Sequence, residues 1–160
     1  MQNIMIPTDL SIHSLSYLHN LAEKLESPCN IVLMHAQRLP DNLLDGWAFT
    51  RSKHHAAISD DFREACEVMK NRYANLVKSV QVEFFYGSTV PALRNFIHAH
   101  NISAIALPEQ LECEKASKSS YNPAALMRYI KLPVTQLKIT LPRRVVTAPA
   151  SISELLGANY

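Results

Sequence analysis

A short apolar run that ends in a polar turn near the start of the chain constrains the fold most strongly. Apolar residues 4–6 are followed by Pro7-Thr8-Asp9, and helix-starting residues come next. A continuous apolar run bounded by turn signals is typical of a strand buried on both faces of a parallel sheet. Pro7 fits the last position of such a strand, where a missing N–H costs little. The pattern predicts a strand–turn–helix unit with Asp9 at the edge where open α/β sheets bind ligands.

Short apolar runs and helical stretches then alternate along the chain. Apolar runs at 31–36, 80–85, 102–107 and 134–139 predict four further strands. Helical patterns over 12–25, 59–78, 89–100 and 124–130 separate the strands, which implies right-handed parallel crossovers. The sequence therefore predicts a single doubly wound α/β domain with a five-stranded parallel sheet over residues 1–140, followed by a C-terminal tail, 141–160, that is ordered only against a partner.

Composition excludes several classes of function. The chain of 160 residues has a net charge of +2 with scattered basic residues, so neither nucleic acid nor an anionic membrane is an expected partner. Cys29, Cys66 and Cys113 are widely spaced and form no C-x-x-C pair, which favours reduced packing residues over disulfides or a zinc site. No signal peptide and no membrane-length apolar run is present, so we expect a cytoplasmic protein.

A long irregular stretch, residues 37–57, follows the second predicted strand. Loops of this length in compact domains are usually functional or mobile. It contains Trp47, which suits either a partner-binding surface or packing of the loop on its own domain. His54-His55 is interpreted as a solvated pair, because adjacent residues do not converge on one metal ion. The loop from Gln37 to Ala57 is thus a candidate site for a protein partner.

Three motifs, in this order along the chain, resemble the universal stress protein family. Residues 4–11 resemble that family's first strand with its aspartate, although Leu10 stands where a small residue is usual. Gly87-Ser88-Thr89-Val90-Pro91 resembles the turn after the third strand, and Lys131-Leu132-Pro133-Val134 resembles the entry into the last strand. The similarity covers residues 3–139. It implies a flavodoxin-like fold of the adenine-nucleotide α-hydrolase type, a role in stress survival, and a homodimer formed through the last strand, 134–139.

The family has an ATP-binding branch, and this chain lacks that branch's glycine motif. The three motif positions fall near Leu107, Gln110 and Ser120, none of which is glycine. A phosphate cradle uses glycine because backbone N–H groups must approach the anion with no Cβ in the way. Glu109 and Glu112 in the same stretch would also repel a triphosphate. We therefore expect no ATP binding and no cofactor.

A smaller ligand remains possible at the same edge of the sheet. The resemblance implies that Asp9 contacts a nucleoside and that residues 34–36 line an adenine; Asp9 also suits a helix cap, and the two roles are compatible. His35 would face the crevice, although a buried, hydrogen-bonded histidine is favoured. Ser119-Ser120 suits a small anion, and no Gly-x-Ser-x-Gly nucleophile motif is present. The candidate ligand-binding residues are Pro7, Thr8, Asp9, Met34, His35, Ala36, Ser119 and Ser120.

These observations lead to two hypotheses for the function and to a third, weaker one. The leading hypothesis is a non-enzymatic, universal-stress-like cytoplasmic protein that dimerises and binds protein partners without ATP. The alternative is a switch that senses an adenine nucleotide or nucleoside through Asp9 and the 34–36 edge. An enzyme of the adenine-nucleotide α-hydrolase kind lacks support, because no paired carboxylates, nucleophile–base pair or phosphate loop is evident.

Overall fold

The computed structural model describes residues 1–38 and 58–139, together with Ile152 and Leu155. Ten helices and strands occur in these parts of the chain: β1 Gln2–Pro7, α1 Ile12–Leu15, α2 Tyr17–Lys24, β2 Cys29–Gln37, α3 Asp60–Arg72, β3 Val77–Tyr86, α4 Val90–Ala99, β4 Ala104–Pro108, α5 Ala124–Met127 and β5 Val134–Leu137. A 3₁₀ turn, Cys113–Lys115, precedes α5. Trp47, His54-His55 and most of the predicted 37–57 loop lie outside the described residues.

The described strands form one parallel sheet in the order β3-β2-β1-β4-β5. This confirms the predicted doubly wound α/β fold. β1 lies at the centre, and its last residue, Pro7, pairs with Met34 of β2. The carboxyl ends of β1 and β2 therefore meet at one edge of the sheet, with Asp9 two residues beyond β1.

Three predicted helices and the last predicted strand have different bounds in the structure. The helix expected over 124–130 ends at Met127, and the strand expected over 134–139 ends at Leu137. The helix expected over 12–25 is divided at Ser16 into α1 and α2. The helix expected to end at Ser79 ends at Arg72 instead, and Ser79 lies in β3. That prediction was wrong because residues 77–86 pair with β2, with one irregularity at Lys78, and this pairing overrides the local helical pattern. A turn in which Leu76 N donates to Tyr73 O at 2.8 Å connects the two elements.

The sheet buries a different core on each face. Ile4 and Ile6 of β1 pack with α1, α2 and α3, on what we call the α1–α3 side. Met5 points the other way and packs with α4 and α5, on the α4–α5 side. Helix α3 alone buries four side chains, whereas α4 buries only Leu93 and α5 only Met127. The α4–α5 side is thus the more thinly covered face.

Two residues of the predicted tail are described, and they pack on their own domain. Leu155 is fully buried in the core of the α1–α3 side, and Ile152 packs against the same cluster. His19 Nε2 lies 3.2 Å from the Leu155 carbonyl oxygen. At these two positions the interpretation of the tail as ordered only against a partner is wrong, because core burial within the chain holds them.

The cysteines are buried packing residues. Burial raises the pKa of the Cys29 thiol to about 11 and that of Cys66 to about 12, so these thiols stay protonated and unreactive at neutral pH. Cys113 is buried as well. In the described parts of the chain, no helix is both long and apolar enough to cross a bilayer.

Candidate functional site

The turn after β1 is built by short side chains that satisfy the backbone. Thr8 N donates to Met34 O at 2.9 Å, which ties the turn to β2. Leu10 N donates to Thr8 Oγ1 at 3.1 Å. Ser11 is the N-cap of α1, and its Oγ accepts from Ser14 N at 3.2 Å. The helix cap is thus Ser11 and not Asp9, so the Asp9 carboxylate has other contacts.

Both carboxylate oxygens of Asp9 accept hydrogen bonds. Oδ1 accepts from the backbone N of Ser11 at 3.0 Å and from the Ser11 hydroxyl, and Oδ2 accepts from Glu112 N at 3.0 Å. Burial alone would raise the pKa of Asp9, but the hydrogen bonds from Ser11 and Glu112 outweigh it and lower the pKa below its ordinary value. Asp9 is therefore a charged group that fastens residue 112 to the end of β1.

Leu10 has a backbone conformation that favours glycine. Its φ is +62°, in the left-handed region, where a side chain costs about 1–2 kcal/mol. The Leu10 side chain is buried in the core of the α1–α3 side, which offsets this cost. Leu10, which stands where a small residue was expected, thus places an apolar side chain beneath the turn.

Residues 109–121, called here the crevice segment, cross the carboxyl ends of β1 and β2. Near its start, Tyr17 Oη donates to Gln110 O at 2.9 Å, and Gln110 N donates to Tyr17 Oη at 2.9 Å. The bond between Glu112 and Asp9 follows two residues later. The first half of the segment is therefore held by side chains of α2 and the β1 turn.

The second half of the crevice segment pairs with the end of β2. Arg38 N donates to Ser119 O at 2.9 Å, and Tyr121 N donates to Ala36 O at 3.2 Å. These bonds flank an antiparallel bridge between Gln37 and Ser120. The Tyr121 hydroxyl also donates to the carbonyl of Gly87, whose φ of +151° and close neighbours exclude most side chains. The segment thus continues the backbone pairing beyond the parallel sheet.

His35 and Ser120 meet beneath this pairing. His35 Nδ1 donates to Thr8 O at 2.8 Å, so in the neutral ring Nε2 accepts from Ser120 Oγ at 2.7 Å. Ser117 Oγ lies 2.6 Å from Ser120 Oγ and continues the chain of hydroxyls. Burial lowers the pKa of His35, and the bond to Thr8 opposes this only in part. His35 and Ser120 are both 0% exposed.

A small cavity lies at this edge. It measures about 230 Å³ and is lined by Asp9, Leu10, Ser11, Glu112, Lys115 and Ala116. Lys115 Nζ lies 2.9 Å from Glu112 Oε2, in an exposed ion pair. Typical small-molecule pockets are about 300–1,000 Å³. The cavity suits a fragment smaller than a nucleotide.

The structure brings the eight predicted site residues to the same edge of the sheet but gives them different surroundings. Pro7, Thr8 and Asp9 form the β1 end, and Ser119 pairs through its backbone with Arg38. The Met34 and Ala36 side chains are buried in the core of the α4–α5 side. Tyr17 and Ser117 belong to the site and were missed. Nothing in a helical apolar stripe signals the contact of Tyr17 with Gln110 across 93 residues, and nothing in a serine-rich loop distinguishes Ser117 from its neighbours. Within residues 1–38 and 58–139, no three potential metal-ligating side chains converge.

Solved structures with the same fold include universal stress proteins. The universal stress protein UspA from Lactobacillus plantarum is 14% identical, with a TM-score of 0.51 over 85% of this chain and 97% of that one. A universal stress family protein from Burkholderia pseudomallei is 13% identical, with a TM-score of 0.50 over 84% and 94%. A hypothetical protein is 19% identical, with a TM-score of 0.53 over 86% and 95%.

These similarities confirm the family resemblance at the level of the fold. No protein-family model matches the sequence, and no curated protein matches it significantly. The identities of 13–19% are too low to carry site residues from one protein to another. Function therefore has to be argued from this chain's own crevice.

Proposed function

We propose that this chain is a divergent universal stress protein of the cytoplasm that acts in the stress response by dimerisation and partner binding, without ATP binding or catalysis. The shared fold supports the family. The observation that supports the lack of ATP binding is the crevice segment, which covers much of the edge of the sheet where a ligand would bind.

The backbone of the crevice segment is engaged elsewhere and is a poor phosphate cradle. Such a cradle needs several N–H groups directed at the anion. Here Gln110 N donates to Tyr17 and Glu112 N donates to Asp9. A triphosphate at this edge would have to break these bonds and approach the carboxylates of Glu109 and Glu112.

The buried Ser120–His35 pair supports a structural role better than a catalytic one. A nucleophile needs access to substrate and donors for the developing oxyanion. Ser120 is fully buried, and the neighbouring N–H of Tyr121 already donates to Ala36 O. The pair therefore fastens the crevice segment to β2.

Calorimetric titration with ATP, ADP, AMP and adenosine, with and without magnesium, tests this function. We expect no submillimolar binding by any of the four. ATP binding at micromolar concentration would contradict the proposal, because the crevice segment would then have to leave its place. The variant Asp9→Asn is the control that assigns any heat observed to this edge.

The cavity beside Asp9 and Lys115 favours one second candidate, a nucleoside-responsive switch. It would use an adenine nucleotide or nucleoside, with Asp9 exchanging its bond to Glu112 for a bond to the ligand. Binding of AMP or adenosine that is lost in Asp9→Asn would establish this candidate and overturn the first. The predicted ligand contacts of residues 34–36 would be tested by the same titration.

The proposed homodimer would form through the outer edge of β5, which faces away from β4. Lys24 Nζ donates to Gln136 O at 2.7 Å, so Gln136 faces away from β4, and Val134 is 42% exposed. An added strand would pair with this edge and displace the exposed Lys24 contact and the bond that Lys138 N donates to Asn20 Oδ1 at 3.0 Å. Sedimentation at micromolar concentration should show that the parent protein is a dimer. The variant Gln136→Pro should be a monomer, because it lacks an N–H that would pair with the second copy. It should remain folded, because this N–H faces away from β4. A monomeric parent protein would contradict this part of the proposal.

A further inference from the structure

An open groove lies on the α4–α5 side, at the amino ends of β4 and β5. It has a volume of about 660 Å³ and runs between the last turns of α4 and the segment that leads into β5. We call it the basic groove; it is lined by Arg94, Ile97, His98, Asn101, Ile102, Ile130, Lys131 and Leu132. None of these residues belongs to the crevice described above.

Four of the eight residues that line the basic groove are apolar, and they form an incompletely covered margin of the core. Ile102 is buried, and Ile97, Ile130 and Leu132 are partly buried at the margin of the α4–α5 core. This is the face on which α4 and α5 each bury a single side chain. A bound molecule with apolar groups would cover the apolar side chains that these short helices leave partly exposed.

The charge around the basic groove has one sign. Arg94 and Lys131 line it, and Arg128 lies three residues before Lys131. Residues 87–108 and 121–139, which contain α4, α5 and all residues lining the groove, have no aspartate or glutamate. Among the described residues, the ion pairs join Arg63, Lys70 and Lys115 to acidic neighbours, and neither Arg94 nor Lys131 belongs to one. The groove is therefore complementary to carboxylates.

Exposed apolar side chains flank the same groove. Tyr129, 66% exposed, immediately precedes the lining residues 130–132, and Val134, 42% exposed, follows them by two positions. In the described parts of the chain, the other large hydrophobic side chain with comparable exposure is Met1, at the terminus. Tyrosine and arginine are the residues that most often dominate the energy of protein interfaces.

We propose that the basic groove is a docking site for an acidic amphipathic segment of a partner protein. The apolar residues of the partner segment would cover Ile97, Ile130 and Leu132, and the carboxylates of that segment would pair with Arg94 and Lys131. The inference rests on the partner binding proposed above and names the partner's chemistry. A duplex nucleic acid fits less well, because an apolar floor with few cations matches carboxylates on an apolar helix better than a phosphate backbone.

The test uses a fluorescein-labelled helical peptide with leucine on one face and glutamate on the other, and a second peptide with lysine replacing every glutamate. Fluorescence anisotropy should show binding of the glutamate peptide only. The double variant Arg94→Glu/Lys131→Glu should bind it at least about tenfold more weakly, because like charges then face each other. The matched control is Lys70→Glu/Lys78→Glu, which changes net charge equally outside the groove and should bind like the parent. Circular dichroism confirms folding of each variant.

Several outcomes would overturn the inference. These are equal binding of both peptides, equal loss in the two double variants, and no binding by the parent protein. Binding of phosphatidylglycerol vesicles or duplex DNA, in preference to the glutamate peptide and abolished by Arg94→Glu/Lys131→Glu, would assign the groove to another class of partner. The folded monomer Gln136→Pro should retain peptide binding, which separates the groove from the dimer edge. The nucleotide titration is independent of these variants, so the two proposals fail separately.

Discussion

Asp9 shows how a residue that the sequence singles out as a ligand contact is used to hold the chain together. Its carboxylate joins the β1 turn to Glu112, 103 residues away, through bonds to backbone and hydroxyl donors. Hydrogen bonds to a charged group are worth about 1.5–3 kcal/mol each. Sequence alone leaves capping and ligand binding both open, and the structure adds this third role.

Replacement of Asp9 by asparagine should lower the free energy of unfolding by about 1–3 kcal/mol at pH 7, because a neutral amide accepts these bonds less strongly. The folded pKa of Asp9 is lowered, so its contribution is present above the ordinary value of 3.8 and is lost as pH falls through the folded pKa. Urea unfolding should therefore show the stabilities of parent and variant converging as the pH falls below 3.8 and through the folded pKa. An equal gap at pH 7 and pH 2 would contradict this account.

Backbone strain at Leu10 can be tested by comparing the stabilities of its glycine and alanine variants, whose order should be the reverse of that in a helix. With φ at +62°, Leu10→Gly should be more stable than Leu10→Ala by about 1 kcal/mol, although both lose the same buried contacts. The control pair is Leu18→Gly and Leu18→Ala in α2, where alanine should be more stable by about 1 kcal/mol. Thermal unfolding of the four variants measures both orders. Alanine more stable than glycine at position 10 would exclude strain at this turn.

The crevice segment is the element on which the proposed function depends most. It is irregular apart from the 3₁₀ turn, yet Tyr17, Asp9, His35 and the end of β2 all bond to it. A loop satisfied in this way by distant partners is ordered by tertiary contacts and not by local propensity. Its glycine-poor sequence suits this role, because each residue has to hold one conformation.

Removal of one hydroxyl should loosen the first half of the crevice segment. Tyr17→Phe leaves Gln110 N and O without their shared partner, so we expect the Gln110 amide to exchange at least about tenfold faster, equivalent to about 1.4 kcal/mol. Hydrogen exchange measures this residue by residue. Tyr129→Phe is the control, because Tyr129 is exposed and should leave exchange unchanged. Unchanged exchange at Gln110 in Tyr17→Phe would show that the segment is held without this bond.

The molecule as a whole has two unlike faces on either side of its sheet. The α1–α3 side is deeply packed and also buries Leu155 of the tail, whereas the α4–α5 side is thin, basic and lined by an open groove. This asymmetry is one reason why the docking site is proposed on the α4–α5 side. The proposed dimer edge and the basic groove both lie where β5 begins.

The stability of the whole domain should fall as pH drops from 7 to 5. Burial lowers the pKa of both His19 and His35, so below the ordinary value of 6.5 the unfolded chain takes up protons that the folded protein does not. Each histidine contributes a slope of at most about 1.4 kcal/mol per pH unit. Urea unfolding at pH 8, 6 and 5 should show this slope of the free energy of unfolding against pH. The slope should be smaller in His35→Gln and unchanged in the control His98→Gln, because His98 is exposed. An increase in stability on acidification would refute it.

Most of the fold could be predicted from the sequence because strands buried in a parallel sheet have a strong local pattern. Apolar runs such as 31–36, with caps such as Ser59 and Thr89, identify the alternation of strands and helices without tertiary information. The end of α3 was missed because residues 77–79 are decided by pairing with β2. The predicted 37–57 loop lies mostly outside the described residues and stays a prediction.

The candidate site could likewise be predicted only in part, for a physical reason. The position of Asp9 at a strand end and the absence of phosphate-binding glycines follow from residue types, because they depend on local chain geometry. The contacts Asp9–Glu112, His35–Ser120 and Tyr17–Gln110 each join residues 85 to 103 positions apart, so no local pattern encodes them. Only the packed chain decides that this segment closes the crevice, since hydrogen bonds between distant groups form where folding has already brought them together and excluded water.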